Sequence, residues 1–405
     1  MRGLANRYNA AARIWLAGAG AALLLPSSQR LGFWLPLHLA LAGAVSVAIR
    51  GTMMSFASAL TAAPGPGRSL TGAQFGLINA GVAFIALGYP NGSGALVAIG
   101  GACFVVAISL VLFAVAAAWR RGLNHRHPLP MVMYAVAACA VLAGGTLGAL
   151  LGSGAVHGPS FAAIRDTHLA LNVLGWASVT IVATLITLLP TVLRIRIPRW
   201  NAPAAAACMV AGVALLAGGL ATRSRPVSAA GALTLFAAGI QVAVMVARAI
   251  SGPRTWPVPV TAKHMACAVA WFVCGGPALA LACARGTFDA FVPLLEVIYV
   301  CGWVLQTLVG SWLYLVPVGR PGGPGERRVW FTATEVGANT QVIVANAGLA
   351  LLALSVAGVL PSTVGAVGAW AALLVAAAAL LKSWTFPALA RLPAVRRRSF
   401  ERWGA

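Results

Sequence analysis

Acidic side chains are the scarcest feature of this sequence, with only 6 Asp and Glu among 405 residues, and charged residues of both signs make up 8%. Soluble globular domains carry about 25% charged residues, so the composition excludes an ordinary soluble protein. Hydrophobic residues make up 60%, and apolar runs of about 20 residues recur along the chain. The sequence therefore predicts an integral membrane protein whose main partner is the lipid bilayer.

Common catalytic signatures are also missing. The sequence contains no Walker loop, no GxSxG, no HExxH and no GxGxxG between a strand and a helix, so phosphoryl transfer and ordinary hydrolysis have no support. The 7 cysteines form no CxxC pair and all lie in apolar segments, which indicates buried small side chains rather than a metal or redox motif. The loops are short, and no soluble domain is evident.

The net charge of +22 raises the question of a nucleic-acid partner. The basic residues, however, lie in short loops between apolar runs. That distribution is typical of membrane topology, because Lys and Arg concentrate in cytoplasmic loops. We therefore expect no nucleic-acid binding.

The apolar runs predict twelve spans within a single membrane domain that covers residues 1–405. A basic segment, 386–405, follows the last span and is expected on the cytoplasmic membrane surface. The predicted spans are 12–29, 33–49, 71–89, 93–118, 129–152, 166–193, 204–222, 227–248, 263–284, 289–317, 335–359 and 363–385.

The distribution of Lys and Arg predicts the orientation of these spans. With the N-terminus inside, 5 of the 28 basic residues fall in outer loops and the other 23 fall inside. Arg50 and Arg68 are assigned to the inner loop after the second span. This asymmetry predicts a plasma (inner) membrane protein with both termini in the cytoplasm. The outer residues are Arg30, Arg165, Arg223, Arg225 and Arg285.

Two segments of the chain repeat. GWASVTIVATLITLLP (175–190) aligns without gaps to GWVLQTLVGSWLYLVP (302–317), in spans six and ten. The tetrapeptide HLAL occurs at 38–41 in span two and again at 168–171 in span six. The spacing predicts an all-α polytopic fold of about twelve transmembrane helices in three pseudo-repeated four-helix units, with spans two, six and ten in equivalent places. The alternative is that these sequence matches arise by chance, because all of these segments are rich in Ala, Leu and Val.

This plan resembles the heme–copper oxidase subunit I superfamily. HLALNVLGW (168–176) resembles an H-x-x-x-N-x-x-G-W motif of actinobacterial membrane regions associated with copper oxidase or nitrite reductase domains. The general plan is also similar to heme- and copper-containing membrane proteins of the nitric oxide response. The resemblance implies that His38 and His168 bind heme b or copper near the outer face. It further implies a redox or copper protein as a possible outer partner, with a role in redox relay, sensing, or copper or nitric oxide tolerance.

Departures from the family pattern limit what the resemblance implies. Span seven has no histidine, and span ten has Leu295 and Glu296 where a histidine is expected. The binuclear oxygen-reducing centre is therefore missing, and we expect no oxygen-reducing oxidase. Whether the protein is any other kind of enzyme stays open.

Topology places the polar residues that carry these hypotheses. His38 and His168 lie in the outer third of the bilayer, where imidazole is a good ligand for iron or copper. Asp166 or Asn172 is placed to orient His168. Trp176, on the same span, is either a packing residue or an interfacial residue. His157, in the outer loop, is a weaker metal candidate. The alternative is that both span histidines are interfacial and structural.

Proton or ion handling has its own candidates. Glu296 is the one carboxylate clearly within a predicted span, and intramembrane acids usually face a partner or water. Glu335, Asn339 and Asn346 share one predicted helix face at the cytoplasmic side, where they either line a polar half-channel or bond neighbouring helices. Two other functions therefore stay open: a secondary transporter of a small solute or ion that uses the carboxylate, and a membrane scaffold without a cofactor.

Overall fold

The structure is a computed structural model that describes residues 2–196, 201–252 and 257–403. Two of the basic residues counted as inner, Arg199 and Arg254, lie outside these ranges. The helices along the chain are α1 (Arg2–Ala22), α2 (Trp34–Thr61), α3 (Arg68–Gly88), α4 (Gly94–Arg121), α5 (Pro128–Gly152), α6 (Ser160–Leu193), α7 (Ala202–Ala221), α8 (Arg225–Ser251), α9 (Val260–Arg285), α10 (Phe288–Gly319), α11 (Pro324–Thr334), α12 (Ala338–Val356), α13 (Ser362–Leu389) and α14 (Pro393–Trp403).

The predicted fold class is confirmed: the protein is an all-α polytopic membrane protein. Within the described residues, 11 helices are long and apolar enough to cross a membrane, and they coincide with predicted spans two to twelve. Predicted span one overlaps α1, which begins earlier, ends at Ala22 and is not among these 11 helices. The segment after the last span contains α14, a short helix that carries three consecutive arginines.

Helix α2 is longer than the sequence pattern predicted, and this corrects one assignment. The predicted span ended at residue 49, whereas the helix continues through Met53, Met54 and Phe56 to Thr61. It ends where Ala62 adopts a left-handed conformation with φ of +52°. Arg50, assigned above to an inner loop, therefore lies inside the helix and is fully buried.

A pair of glycines brings two neighbouring helices together in each of the three predicted units. A Cβ at Gly81 would lie 2.8 Å from the carbonyl oxygen of Gly100, and a Cβ at Gly368 would lie 2.4 Å from that of Gly348. Only glycine permits backbones to approach this closely, as in small-residue crossings of other membrane helices. The glycine pairs, which join the third and fourth spans of their units, are Gly81–Gly100, Gly212–Gly231 and Gly348–Gly368.

The second spans of the three units are linked to one another by a repeated contact. Trp176 Nε1 of α6 donates to Ser46 Oγ of α2 over 3.1 Å, and Trp303 Nε1 of α10 donates to Ser178 Oγ of α6 over 2.8 Å. All four side chains are buried. The equivalent of Ser178 in α10 is Leu305, which cannot accept a hydrogen bond. These recurring contacts support the predicted three-unit arrangement.

Candidate heme-binding cavity

A cavity of about 550 Å³ lies at the predicted outer end of the bundle, between the ends of α2, α5, α6 and α10. Its wall is mostly apolar, and its size is in the range of cofactor pockets. Five of the candidate residues line it: His38, His168, Asn172, Trp176 and Glu296. The tertiary structure thus gathers residues from three different spans at one site.

The two histidine rings lie close to each other at this cavity. Their centres are 6.5 Å apart and their planes are within 12° of parallel. A ligating nitrogen lies about 2 Å from its metal, so two imidazoles that hold one ion from opposite sides have ring centres roughly 6 Å apart. The observed distance between the ring centres is close to that value.

Hydrogen bonds fix the tautomer of His38. Its Nδ1 lies 2.8 Å from the backbone carbonyl oxygen of Trp34. A carbonyl oxygen only accepts hydrogen bonds, so Nδ1 carries the proton and donates it. The other ring nitrogen, Nε2, is then the unprotonated one that can bind a metal.

His168 has the same arrangement with a different partner. Its Nδ1 donates to the backbone carbonyl oxygen of Gly144 on α5 over 2.7 Å. The Asn172 amide donates to the carbonyl oxygen of His168 over 2.7 Å, and its nitrogen lies 3.1 Å from Nδ1. Metal-binding histidines usually donate a hydrogen bond from the N–H of the second ring nitrogen to such an acceptor, and this bond fixes the orientation of the ring. Asn172 is therefore next to His168, as the sequence predicted.

Glycines on α5 make room for the His168 side chain. A Cβ at Gly148 would lie 2.4 Å from Cε1 of His168 and 2.7 Å from its Nδ1. A Cβ at Gly144 would lie 2.6 Å from the amide nitrogen of Asn172. Any larger residue at either position would displace these side chains, so both glycines help to define the site.

Trp34 supports His38 in a second way that the sequence analysis did not detect. Its indole stacks on the His38 ring at 4.0 Å, and Tyr89 stacks on its other face at 4.2 Å. Both interplanar angles are close to 25°. The signal was present in the sequence, since Trp34 lies one helical turn before His38, but the stack also requires Tyr89, the residue that follows α3.

A π-helical segment begins beside each of the three key residues. The segments are Leu39–Val45 after His38, Leu171–Ser178 after His168, and Glu296–Leu305, which starts at Glu296 itself. Such wider turns are uncommon and often occur at functional sites. At the end of one segment Ser178, and directly after the end of another Ser46, donates its hydroxyl proton to the carbonyl oxygen five residues earlier.

The rim of the cavity carries an ion-pair cluster. Arg165 bonds Asp166 over 2.8 Å and also bonds Asp289 at the start of α10. Asp166 thus pairs with its neighbour Arg165, and no described contact joins it to His168. Of the two residues expected to orient His168, Asn172 contacts it, whereas Asp166 bonds Arg165, a charged partner next to it in sequence.

Glu296 lies on the cavity wall without a hydrogen bond to any described residue. It lies two helical turns after Asp289 in α10. His157, by contrast, is exposed in the loop before α6 and does not line the cavity. The structure therefore brings Glu296 to the site and leaves His157 outside it.

The polar residues predicted at the cytoplasmic side do not form one face of a helix. Glu335 lies in a turn between α11 and α12, where Gly337 has a φ of +67°. Its carboxylate accepts from the Val260 backbone N–H over 2.9 Å, and the Asn339 amide oxygen accepts from Lys263 Nζ over 2.6 Å. The predicted continuous stripe is therefore wrong at Glu335, because the turn interrupts the helix.

Asn346 has a structural partner that recurs in another unit. Trp271 Nε1 donates to Asn346 Oδ1 over 2.8 Å, as Trp15 Nε1 donates to Asn79 Oδ1 over 2.7 Å in the first unit. Both pairs join the first and third spans of their units. These bonds match the alternative in which such residues hold neighbouring helices together.

His38 and His168 are the histidines among the described residues that line the cavity. The described part of the chain contains no group of three or more His, Cys, Asp or Glu side chains placed to hold a metal ion. No family model matches this chain, and no curated protein matches it.

Proposed function

We propose that this protein is a membrane-bound heme protein, a non-oxidase relative of heme–copper oxidase subunit I, in which His38 and His168 would hold the iron of one b-type heme. The observation that carries the proposal is the pair of parallel rings 6.5 Å apart, each with Nδ1 bonded to a backbone carbonyl. When bound, the heme would supply one-electron redox chemistry between ferrous and ferric iron.

The residues of the chain have distinct tasks in this proposal. Trp34 fixes the His38 ring through its carbonyl and its indole, and Gly144 fixes the His168 ring. Arg165 is the one Lys or Arg among the described lining residues, and its bonds to Asp166 and Asp289 hold the starts of α6 and α10 together at the rim. If both histidines hold the iron, the chain would leave no free position for oxygen, which would favour electron transfer over oxygen binding. The expected partner is a one-electron carrier at the outer face.

A visible spectrum of the purified protein tests the proposal. After reconstitution with hemin, we expect a Soret band and, on reduction, the sharp α band of a bis-histidine heme. His38→Ala and His168→Ala should each lose that spectrum while the protein still inserts into the membrane. His157→Ala is the matched control, because it removes an exposed outer histidine, and it should keep the spectrum.

Two outcomes would contradict the heme assignment. A wild-type protein that gives no Soret band with hemin has no such site. If the purified protein contains one copper ion per chain and no heme, the two histidines bind copper rather than heme iron. Retention of the full spectrum in His168→Ala would show that the ligands are others.

Glu296 favours a second candidate function, secondary transport. A carboxylate on the wall of a cavity within a span is expensive to bury and often serves ion coupling. Proton movement driven by a solute gradient in proteoliposomes, abolished by Glu296→Gln, would support it. If such transport occurs in protein that binds no heme, transport replaces the redox proposal.

A further inference from the structure

Arg50 is a cation buried near the middle of α2, far from the histidine cavity. Its relative exposure is 0%, as is that of Met53 one turn further along the helix. An arginine in a membrane span usually reaches the interface with its long side chain. Arg50 cannot do so, because its guanidinium points into the bundle between α1 and α3.

The hydrogen bonds of this guanidinium are incomplete. Nη2 donates to Oε1 of Gln74 on α3, whereas Nε and Nη1 have no partner within the described residues. Nε2 of Gln74, which is also buried, lacks an acceptor too. Unpartnered N–H donors therefore remain on two adjacent side chains, and together they require an acceptor.

No described carboxylate compensates the charge of Arg50. The ion pairs between described residues all involve Arg165 at the opposite end of the bundle. The Tyr8 ring lies 4.8 Å from the guanidinium carbon and gives a cation–π contact. Its hydroxyl donates to the Thr71 carbonyl oxygen over 3.1 Å, so it is a protonated phenol and supplies no negative charge.

We propose that Arg50 and Gln74 form a binding site for a small monovalent inorganic anion such as chloride. One negative charge neutralises one guanidinium, and the free N–H groups of both side chains supply the hydrogen bonds. A water molecule would satisfy the hydrogen bonds but would leave the charge uncompensated. The ion must be small because these atoms are completely enclosed by the helices. The proposal is independent of any cofactor.

Chloride-dependent stability of the full-length protein in detergent tests this site. At constant ionic strength, replacing gluconate by chloride should raise the unfolding temperature of the wild type along a saturable curve. Direct binding of radioactive chloride should saturate at one ion per chain. Arg50→Met should abolish both signals. Arg68→Gln is the control, because Arg68 is an exposed cation at the start of α3, and it should leave both unchanged.

Gln74→Leu keeps the test decisive if Arg50→Met does not fold. It removes one donor and leaves the charge, so chloride affinity should fall about tenfold, as expected for a lost hydrogen bond to a charged group. A wild type without saturable chloride dependence would overturn the proposal. Unchanged affinity in Gln74→Leu, or saturable binding that persists in Arg50→Met, would also overturn it.

Discussion

Gly148→Ala is the sharpest test of the geometry around His168. The new Cβ would lie 2.4 Å from Cε1 of the imidazole, whereas carbon atoms in contact prefer about 3.5–4.0 Å. The ring must therefore move by about 1 Å. Metal–ligand distances tolerate only about 0.2 Å, so the displaced nitrogen cannot keep its place opposite His38. We expect heme affinity to fall about 10–100-fold, the usual range for residues that orient a metal ligand.

Hemin titration followed by the Soret band measures this loss. Gly218→Ala controls for the added methyl group, because a Cβ at Gly218 has no atom within 4 Å. Gly145→Ala adds a methyl to the same helix at an ordinary 3.4 Å from the Phe104 ring, and it should weaken binding less than Gly148→Ala. If Gly148→Ala binds heme with wild-type affinity and an unchanged spectrum, the assigned position of His168 is incorrect.

Three further predictions concern the stack, the helix crossings and the topology. Trp34→Leu removes the ring that stacks on His38 but keeps the backbone carbonyl, so the heme reduction potential should shift. Trp34→Phe keeps an aromatic ring and should have a potential close to that of the wild type. Equal potentials in all three proteins would show that the stack has no effect. Gly348→Val should lower the free energy of unfolding by about 1–3 kcal/mol through overpacking. Thermal denaturation measures this loss, with Gly218→Val as the control, and an equal loss in both variants would argue against the close helix crossing. Reporter fusions after His125 and at the C-terminus should both read cytoplasmic, and a periplasmic signal from either would refute the topology.

Much of the architecture could be predicted from the sequence because it depends on local properties. A helix that crosses a bilayer must be apolar over about 20 residues, so the runs themselves reveal the spans. The repeated GW…P segments and the two HLAL tetrapeptides indicated which spans correspond. Helix rise then placed His38, His168 and Glu296 at similar depths, and all three line one cavity.

Other features depend on contacts between distant segments and could not be read from the pattern. The Nδ1 acceptor of His168 is Gly144, a glycine carbonyl on another helix. Asp166 bonds Arg165, and the same arginine reaches Asp289 on α10. Glu335 lies in a turn because the chain makes a separate short helix before α12. Each outcome was decided by the neighbour that the fold brought into reach.

Arg50 shows most clearly what the sequence determined and what the tertiary structure decided. A single charge ended the predicted span at residue 49, since charge normally marks the end of an apolar run. The helix continues because Arg50 faces Tyr8 and Gln74 inside the bundle rather than lipid. Apolar length and helical period are encoded locally and therefore indicate where the long apolar helices lie along the chain. The environment of each polar group is set by packing between helices, and only the tertiary structure determines it.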